Sequence, residues 1–180
     1  MHSRRNLRLK GYDYRQNGAY FVTICTYQRS CLLGAVKNGV MILNAWGRIV
    51  QDEWRRTERV RSNVQLDDFV IMPNHLHCIL LIVDDAPTSA TSALSNARAG
   101  GNAPGSLGQI IGHFKSIVTK RVRKSGASTS IPVWQRNYYE HVIRTESDLQ
   151  RIREYIIANP ARWDDDDYFV DNGGLMPSSL

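Results

Sequence analysis

Cysteine is scarce in this sequence: three residues in 180, Cys25, Cys31 and Cys78, with no CxxC pair and no even set to form a disulfide framework. A disulfide-stapled scaffold is excluded, and a reducing compartment suits the chain. Long apolar runs are missing too. The opening MHSRRNLRLKGYDYR lacks the hydrophobic stretch of a signal peptide, and no later segment approaches the length of a membrane helix. The expected setting is the cytoplasm, with no membrane partner. No G-x-x-x-x-G-K-[ST] segment occurs, so there is no P-loop with which to use a nucleoside triphosphate. Acid is the minority charge, at 17 residues against 23 basic ones, and part of it is gathered late, in Asp164 to Asp167.

Hydrophobic residues make up 42% of the chain and charged ones 22%, a balance that folds, and 180 residues suit one domain with tails. The net charge of +6 is clustered at Arg4, Arg5, Arg8 and Lys10, at Arg55, Arg56, Arg59 and Arg61, and at Lys120, Arg121, Arg123 and Lys124. Such clusters are the footprint of a protein that holds a phosphate backbone, and a well-solvated surface is the alternative.

Tyr20 to Tyr27 (YFVTICTY) is β-branched and aromatic and predicts a strand. After the turn-like Lys37-Asn38-Gly39, Asn44 can cap a helix whose apolar positions are Trp46, Ile49, Val50, Trp54 and Val60. Gln65 to Met72 and His75 to Val83 flank the turn pair Pro73-Asn74 and predict an antiparallel hairpin. Residues 84–105, rich in Ala, Ser, Thr, Gly and Pro, predict a flexible insertion. Ser106 caps a second helix with Leu107, Ile110, Ile111, Phe114, Ile117, Val118 and Val122 on its buried stripe. A last strand around Tyr138 to Arg144 precedes the capping pattern Thr145-x-x-Asp148, which opens a helix that Pro160 stops. The order β-α-β-β-α-β-α predicts an α+β fold: a ferredoxin-like antiparallel sheet with helices packed on it and one extra helix at the end. The expected organisation is a basic N-terminal arm over 1–19, a single catalytic domain over 20–163 and an acidic, flexible tail over 164–180.

Two elements carry candidate chemistry. His75 and His77 stand two apart on a predicted strand, so their rings leave one face within reach of one ion. On spacing alone, two partnered core rings explain the pair as well as a metal does. Tyr155 and Asn159 stand four apart on the last predicted helix and project to one side, although a boundary aromatic and a helix-ending amide are the plainer reading. His113 and His141 are further candidates for a site or for a general base.

The segments YFVTICT, MPNHLH, SLGQIIGHFKS, VWQRNYYEHVIR and REYIIANP, in this order between about Gly11 and Trp163, resemble the REP-associated tyrosine transposases, relatives of the single-tyrosine HUH transposases of small insertion sequences. The resemblance implies a DNA strand transferase that cleaves and rejoins single-stranded, hairpin-forming DNA through a 5′-phosphotyrosine. It implies a divalent metal, magnesium or manganese, held by His75 and His77, with Asn159 as third ligand and Tyr155 as nucleophile; imidazole ligands by themselves also suit zinc or nickel. Lys115, Lys120, Arg121, Arg123 and Lys124 are expected to track the DNA backbone, Arg4, Arg5 and Arg8 to hold a hairpin foot or flank, and Tyr138 and Tyr139 to pack or stack on bases. Relatives act as monomers or as homodimers with composite sites. The alternatives are a sequence-specific DNA-binding protein of the same fold without cleavage activity, a structural metal site that includes Cys78, and a two-histidine phosphoesterase, for which a second histidine motif is absent.

Overall fold

The computed structural model describes residues 12–84, 104–126 and 131–170. In chain order the elements are β1 (Gly18–Cys25), β2 (Gly34–Lys37), β3 (Val40–Leu43), α1 (Ala45–Arg59), β4 (Val64–Met72), β5 (His75–Ile82), α2 (Leu107–Lys124), β6 (Tyr139–Ile143) and α3 (Glu146–Ala158), followed by a 3₁₀ segment, Asn159–Asp165. The main sheet runs β4-β5-β1-β6 with each neighbouring pair antiparallel. This is the strand order of the ferredoxin-like arrangement expected from the sequence, with α3 as the added helix.

The sheet separates two apolar layers because alternate residues of a strand face opposite ways. Tyr20, Val22 and Ile24 of β1 and Leu76, Cys78, Leu80 and Ile82 of β5 join α1 and α2 in the larger core. Trp54 of α1 meets Phe114 of α2 edge to face at a centroid distance of 5.2 Å. On the other face Ile79 and Phe21 pack with Ile143, Ile152 and Ile156 beneath α3. Strand β5 is therefore buried on both sides, which is why its sequence reads as a nearly continuous apolar run.

Caps set the helix starts where the sequence places them. Asn44 Oδ1 accepts from the Gly47 amide at 2.9 Å, Ser106 Oγ from that of Gln109 at 3.3 Å, and Thr145 Oγ1 from that of Asp148 at 3.1 Å. Gly47 also permits a close approach: a Cβ there would lie 2.1 Å from the Leu33 carbonyl oxygen. At the end of α1, Val60 departs from the expected buried stripe. The helix stops at Arg59, and Val60 lies 54% exposed as its C-cap.

The sequence reading sees only the turn of the small β2–β3 hairpin. Asn38 and Gly39 supply the two left-handed residues, at φ 51° and 73°, that a tight hairpin turn requires. The flanking strands have four residues each, and Val40 and Ile42 face outward, so no inward apolar alternation marks them. At the N-terminal end Tyr12 and Tyr14 already belong to the core, packing on each other at 4.9 Å and on Tyr20. The arm residues Arg4, Arg5 and Arg8, nearly all of the 84–105 insertion and the last ten residues lie outside the described residues.

Helix α3 is tied to its own sheet at both edges. Strand β4 slips register between Leu66 and Phe69, and this bulge presents Asp67 to Arg153, with Nε at 3.1 Å and Nη2 at 2.6 Å. At the opposite edge His141 Nε2 of β6 lies 2.7 Å from Asp148 Oδ2 in the first turn of α3. Only Arg144 and Thr145 separate β6 from α3, so the helix can fold back only over the strands just before it.

Candidate active site

Registration across the sheet brings the chemistry together. His75 pairs with Cys25 and His77 with Thr23 across β1, and Thr23 pairs in turn with Tyr139 of β6. The imidazoles of His75 and His77 emerge on the α3 face, 4.3 Å apart between ring centroids, and both side chains are buried. Phe21 stacks on His77 at 5.3 Å and meets Tyr155 edge-on at 6.1 Å, which fixes both rings from below.

Hydrogen bonds determine which nitrogen of His75 is available. Asn74 Nδ2 donates to the carbonyls of Arg29 at 3.0 Å and Tyr168 at 2.7 Å, so its Oδ1 is the atom that faces His75 Nδ1 at 2.8 Å. An amide oxygen only accepts, hence Nδ1 carries the proton and the Nε2 lone pair of His75 points free into the site. That Nε2 is buried and has no hydrogen-bond partner. Both nitrogens of His77 face hydroxyls: Nδ1 lies 2.8 Å from Thr23 Oγ1, and Nε2 lies 3.1 Å from that of Tyr155. Burial pushes both rings toward the neutral form, His75 down to about 2, helped by His77 and Arg29, and His77 down to about 3.

Asn159, at the junction of α3 and the 3₁₀ segment, is buried with its Oδ1 unpartnered. Hydrogen bonding from its amide pulls against the upward shift of two neighbours: Tyr155, raised by burial and then by Asp166, and Asp166, raised by burial. The Asp166 carboxylate brings an oxygen within 4.8 Å of the ligand nitrogens of His75 and His77. A buried imidazole nitrogen without a donor, within 4.8 Å of a second imidazole nitrogen and a carboxylate oxygen, forms a set that suits a cation, and the Asn159 side chain borders it through Asp166. The donors thus fit a divalent metal. By sequence Asp166 falls in the expected tail, three residues past the expected domain limit, where nothing marks it. Only its fold-back makes it visible, since an acid in the run Asp164–Asp167 carries no spacing signal.

Past Trp163 the chain turns back across the histidines. The Tyr168 ring lies 4.7 Å from that of His75 and 5.7 Å from that of His77, and the Arg29 guanidinium sits over it at 4.9 Å. Burial lifts the Tyr168 phenol up to about 12, and a hydrogen bond with Thr23 works the other way.

The remaining sequence candidates are distributed as follows. Tyr155 is 42% exposed, so its phenol borders both the histidines and solvent. Tyr139, 39% exposed, is in register with Thr23 and His77, whereas Tyr138 packs into the core beneath α1 and α2. Lys115 is turned inward: its Nζ donates to the carbonyls of Gln135, Arg136 and Asn137, and burial draws its pKa down to about 8, so it is still an ammonium at neutral pH. Lys120, Arg123 and Lys124 lie exposed on the last turns of α2, and Arg121 among them bonds the buried Glu53 carboxylate at 2.7 Å. His113 lines a groove between α1 and α2, on the far side of the sheet from His75, and His141 is engaged by Asp148. Cys78 faces the larger core, away from both histidines, which rules out the structural His-His-Cys site.

No family model matches the chain. It is 41% identical over 174 residues to an uncharacterized protein of Haemophilus influenzae, an alignment that covers 95% of this chain and 96% of that one. Among solved structures it matches a REP-associated tyrosine transposase bound to a REP hairpin, with a TM-score of 0.55 at 20% identity over 86% of this chain and 73% of the other. At that identity the match establishes a common fold.

Proposed function

From a chain that belongs to one family with the Haemophilus influenzae protein and carries the fold of the REP-associated tyrosine transposases, we propose a metal-dependent enzyme that cuts and rejoins single-stranded DNA at Tyr155. One observation carries this reading: the Tyr155 hydroxyl stands 3.1 Å from Nε2 of a neutral, pre-oriented histidine, beside a second imidazole whose buried Nε2 has no partner. A structural aromatic does not need a buried, unsatisfied ligand nitrogen beside its hydroxyl.

His75 and His77 would hold the metal through Nε2, with Asp166 as third ligand and the Asn159 oxygen as a further donor. The carboxylate gives the set an oxygen and a negative charge, which suits magnesium or manganese better than imidazoles alone. When bound, the ion supplies positive charge that polarises a scissile phosphate. The residues of the chain do the rest. Tyr155 Oη forms a bond to phosphorus and loses its proton, while the bond from phosphorus to the 3′ oxygen breaks and that oxygen takes up a proton. The products are a 5′-phosphotyrosine and a free 3′-hydroxyl. Attack by a 3′-hydroxyl on such a link reverses the step and joins strands without a nucleotide cofactor. Phe21 and the Asn74 and Thr23 hydrogen bonds hold the imidazoles, and the apolar seat of α3 holds the phenol.

The substrate in this reading is single-stranded DNA, folded into a hairpin. Tyr139 is placed to stack on a base near the site, and Lys120, Arg121, Arg123 and Lys124, on the far side of the sheet, serve a flank or stem, together with Arg4, Arg5 and Arg8. Lys115 contributes by holding the 135–137 loop. All groups of the site come from one copy of the chain, so a monomer suffices. Labelled hairpin DNA incubated with the protein and manganese is expected to yield a denaturation-resistant adduct, and Tyr155→Phe to abolish it. An adduct that survives in the Phe variant contradicts the assignment. A DNA-binding protein without cleavage activity gives retention of the hairpin and no adduct with either form.

A further inference from the structure

The environment of Tyr168 is that of a planar ligand rather than of a core residue. Its ring has the Arg29 guanidinium over it at 4.9 Å and the His75 ring at 4.7 Å, with His77 edge-on at 5.7 Å. The Thr23 hydroxyl, 2.8 Å from His77 Nδ1, pulls against the upward shift of its phenol. Beyond that ring, the Tyr168 segment touches these walls only through two backbone carbonyls, its own accepting from Asn74 at 2.7 Å and that of Asp167 from Arg29 at 3.2 Å, and the rest of the frame is built elsewhere. His75 and His77 are set by Asn74 and Thr23, and Arg29 is set by its own turn, where Gln28 and Arg29 both take left-handed backbone at φ 53° and 56°. Two successive non-glycine residues in that region cost of order 1 kcal/mol or more each, and such strain persists where a side chain must be held in place. The Arg29 amide donates to Thr26 and its carbonyl accepts from Asn74, so the turn is closed from both ends.

The occupant, by contrast, is lightly held. Tyr168 lies beyond the 3₁₀ segment in backbone without regular structure, anchored through its carbonyl to Asn74 at 2.7 Å, through its amide to Asp166 at 2.7 Å, and by Arg29 to the neighbouring Asp167 carbonyl at 3.2 Å. It is only partly buried and belongs to neither apolar core. A guanidinium plane, an imidazole face and a hydroxyl at the rim form a surface on which an unpaired base stacks and hydrogen-bonds.

Resting on the proposed function, we infer that the cleft between Arg29 and His75 is a nucleobase-binding subsite, and that Tyr168 fills it in place of the base of the nucleotide joined to the scissile phosphate. Arg29 supplies the stacking plane and Thr23 the edge contact. A base enters as Tyr168 leaves, and the Arg29 side chain then trades the Asp167 carbonyl for the incoming nucleotide.

The test needs neither a known target sequence nor cleavage. dAMP and deoxyribose 5-phosphate, which lacks the base, are titrated in magnesium buffer into isotopically labelled protein and followed by NMR at the His75, His77 and Arg29 side chains. Tyr168→Ala is expected to bind dAMP at least about tenfold more tightly than deoxyribose 5-phosphate, and the added change Arg29→Ala to erase that preference. Tyr168→Phe keeps the ring and is expected to behave as the wild type. In the wild type, excess dAMP shifts the Tyr168 ring signals and deoxyribose 5-phosphate does not, a readout that stands if Tyr168→Ala fails to fold. Equal affinity of Tyr168→Ala for the two ligands, or a preference that survives Arg29→Ala, overturns the subsite. Because the adduct assay with Tyr155 is read separately, an absent base preference alongside an intact adduct removes this inference alone. A missing adduct removes the reading beneath it.

Discussion

Asn74 shows how much a single residue decides. One amide donates to two carbonyls and, with the oxygen that remains, sets the tautomer of His75. Removing it leaves the imidazole free to turn and to bind its proton on either nitrogen. Asn74→Ala is therefore expected to weaken manganese binding about 10- to 100-fold, the usual cost of losing such a supporting contact, as titration calorimetry would measure. An unchanged affinity contradicts the orientation argument.

The histidines also make stability depend on pH. Folded, they are held neutral, down to about 2 and about 3, whereas in the unfolded chain they protonate near the ordinary value of 6.5. Below that value the unfolded chain binds more protons than the folded one, so metal-free stability falls as the pH falls. The slope is up to about 1.4 kcal/mol per pH unit for each ring. The window between pH 6.5 and 5 lies above the range where Asp67 and Asp148, both held below the usual carboxylate range, begin to titrate. Urea midpoints at pH 7 and pH 5 measure the effect, and equal midpoints contradict the neutral pair.

At the scale of elements, the placement of Tyr155 is a property of α3. The helix buries only Ile152 and Ile156 fully, so its seat is a small apolar contact with polar ties at each edge of the sheet. Ile156→Ala is expected to cost about 2–4 kcal/mol of stability. Asp67→Ala removes a partly exposed ion pair worth no more than about 1 kcal/mol. Its larger effect falls on geometry, because α3 then loses its tie to the bulge in β4: adduct formation slows while the unfolding midpoint moves little. A loss of adduct in proportion to stability would make Asp67 a purely structural residue. The same element governs which oxygens can approach the histidines. Helical spacing connects Tyr155 to Asn159 directly, but Asp166 reaches the site only because the 3₁₀ segment, opened by Pro160, turns the chain back.

At the scale of the molecule, only two residues connect β6 to α3, and in the proposed reading the site is complete within one copy. Mixing Tyr155→Phe with His77→Ala is expected to restore no adduct, since neither copy can lend its partner the missing group. Recovered activity would require an exchange of helices between copies. The basic clusters divide at this scale as well. Arg121 is partly neutralised by Glu53 and Lys115 is turned inward, which leaves Lys120, Arg123 and Lys124 as the open charges on α2.

Read alone, the sequence determined the elements other than the short strands β2 and β3, because periodicity and capping are local: the caps at Asn44, Ser106 and Thr145, the doubly buried strand of His75 and His77, and the α+β order all follow from neighbours in the chain. It also determined which side chains could act together when they share a strand or a helix turn, as His75 with His77 and Tyr155 with Asn159 do. Only the tertiary structure decided which of these pairs meet, which imidazole nitrogen is left free, that Asp166, Tyr168 and Arg29 border the site, and that Lys115 turns its ammonium to the 135–137 carbonyls. Those relations join residues tens of positions apart. They depend on strand register and on the path of irregular backbone, neither of which leaves a periodic mark in the sequence.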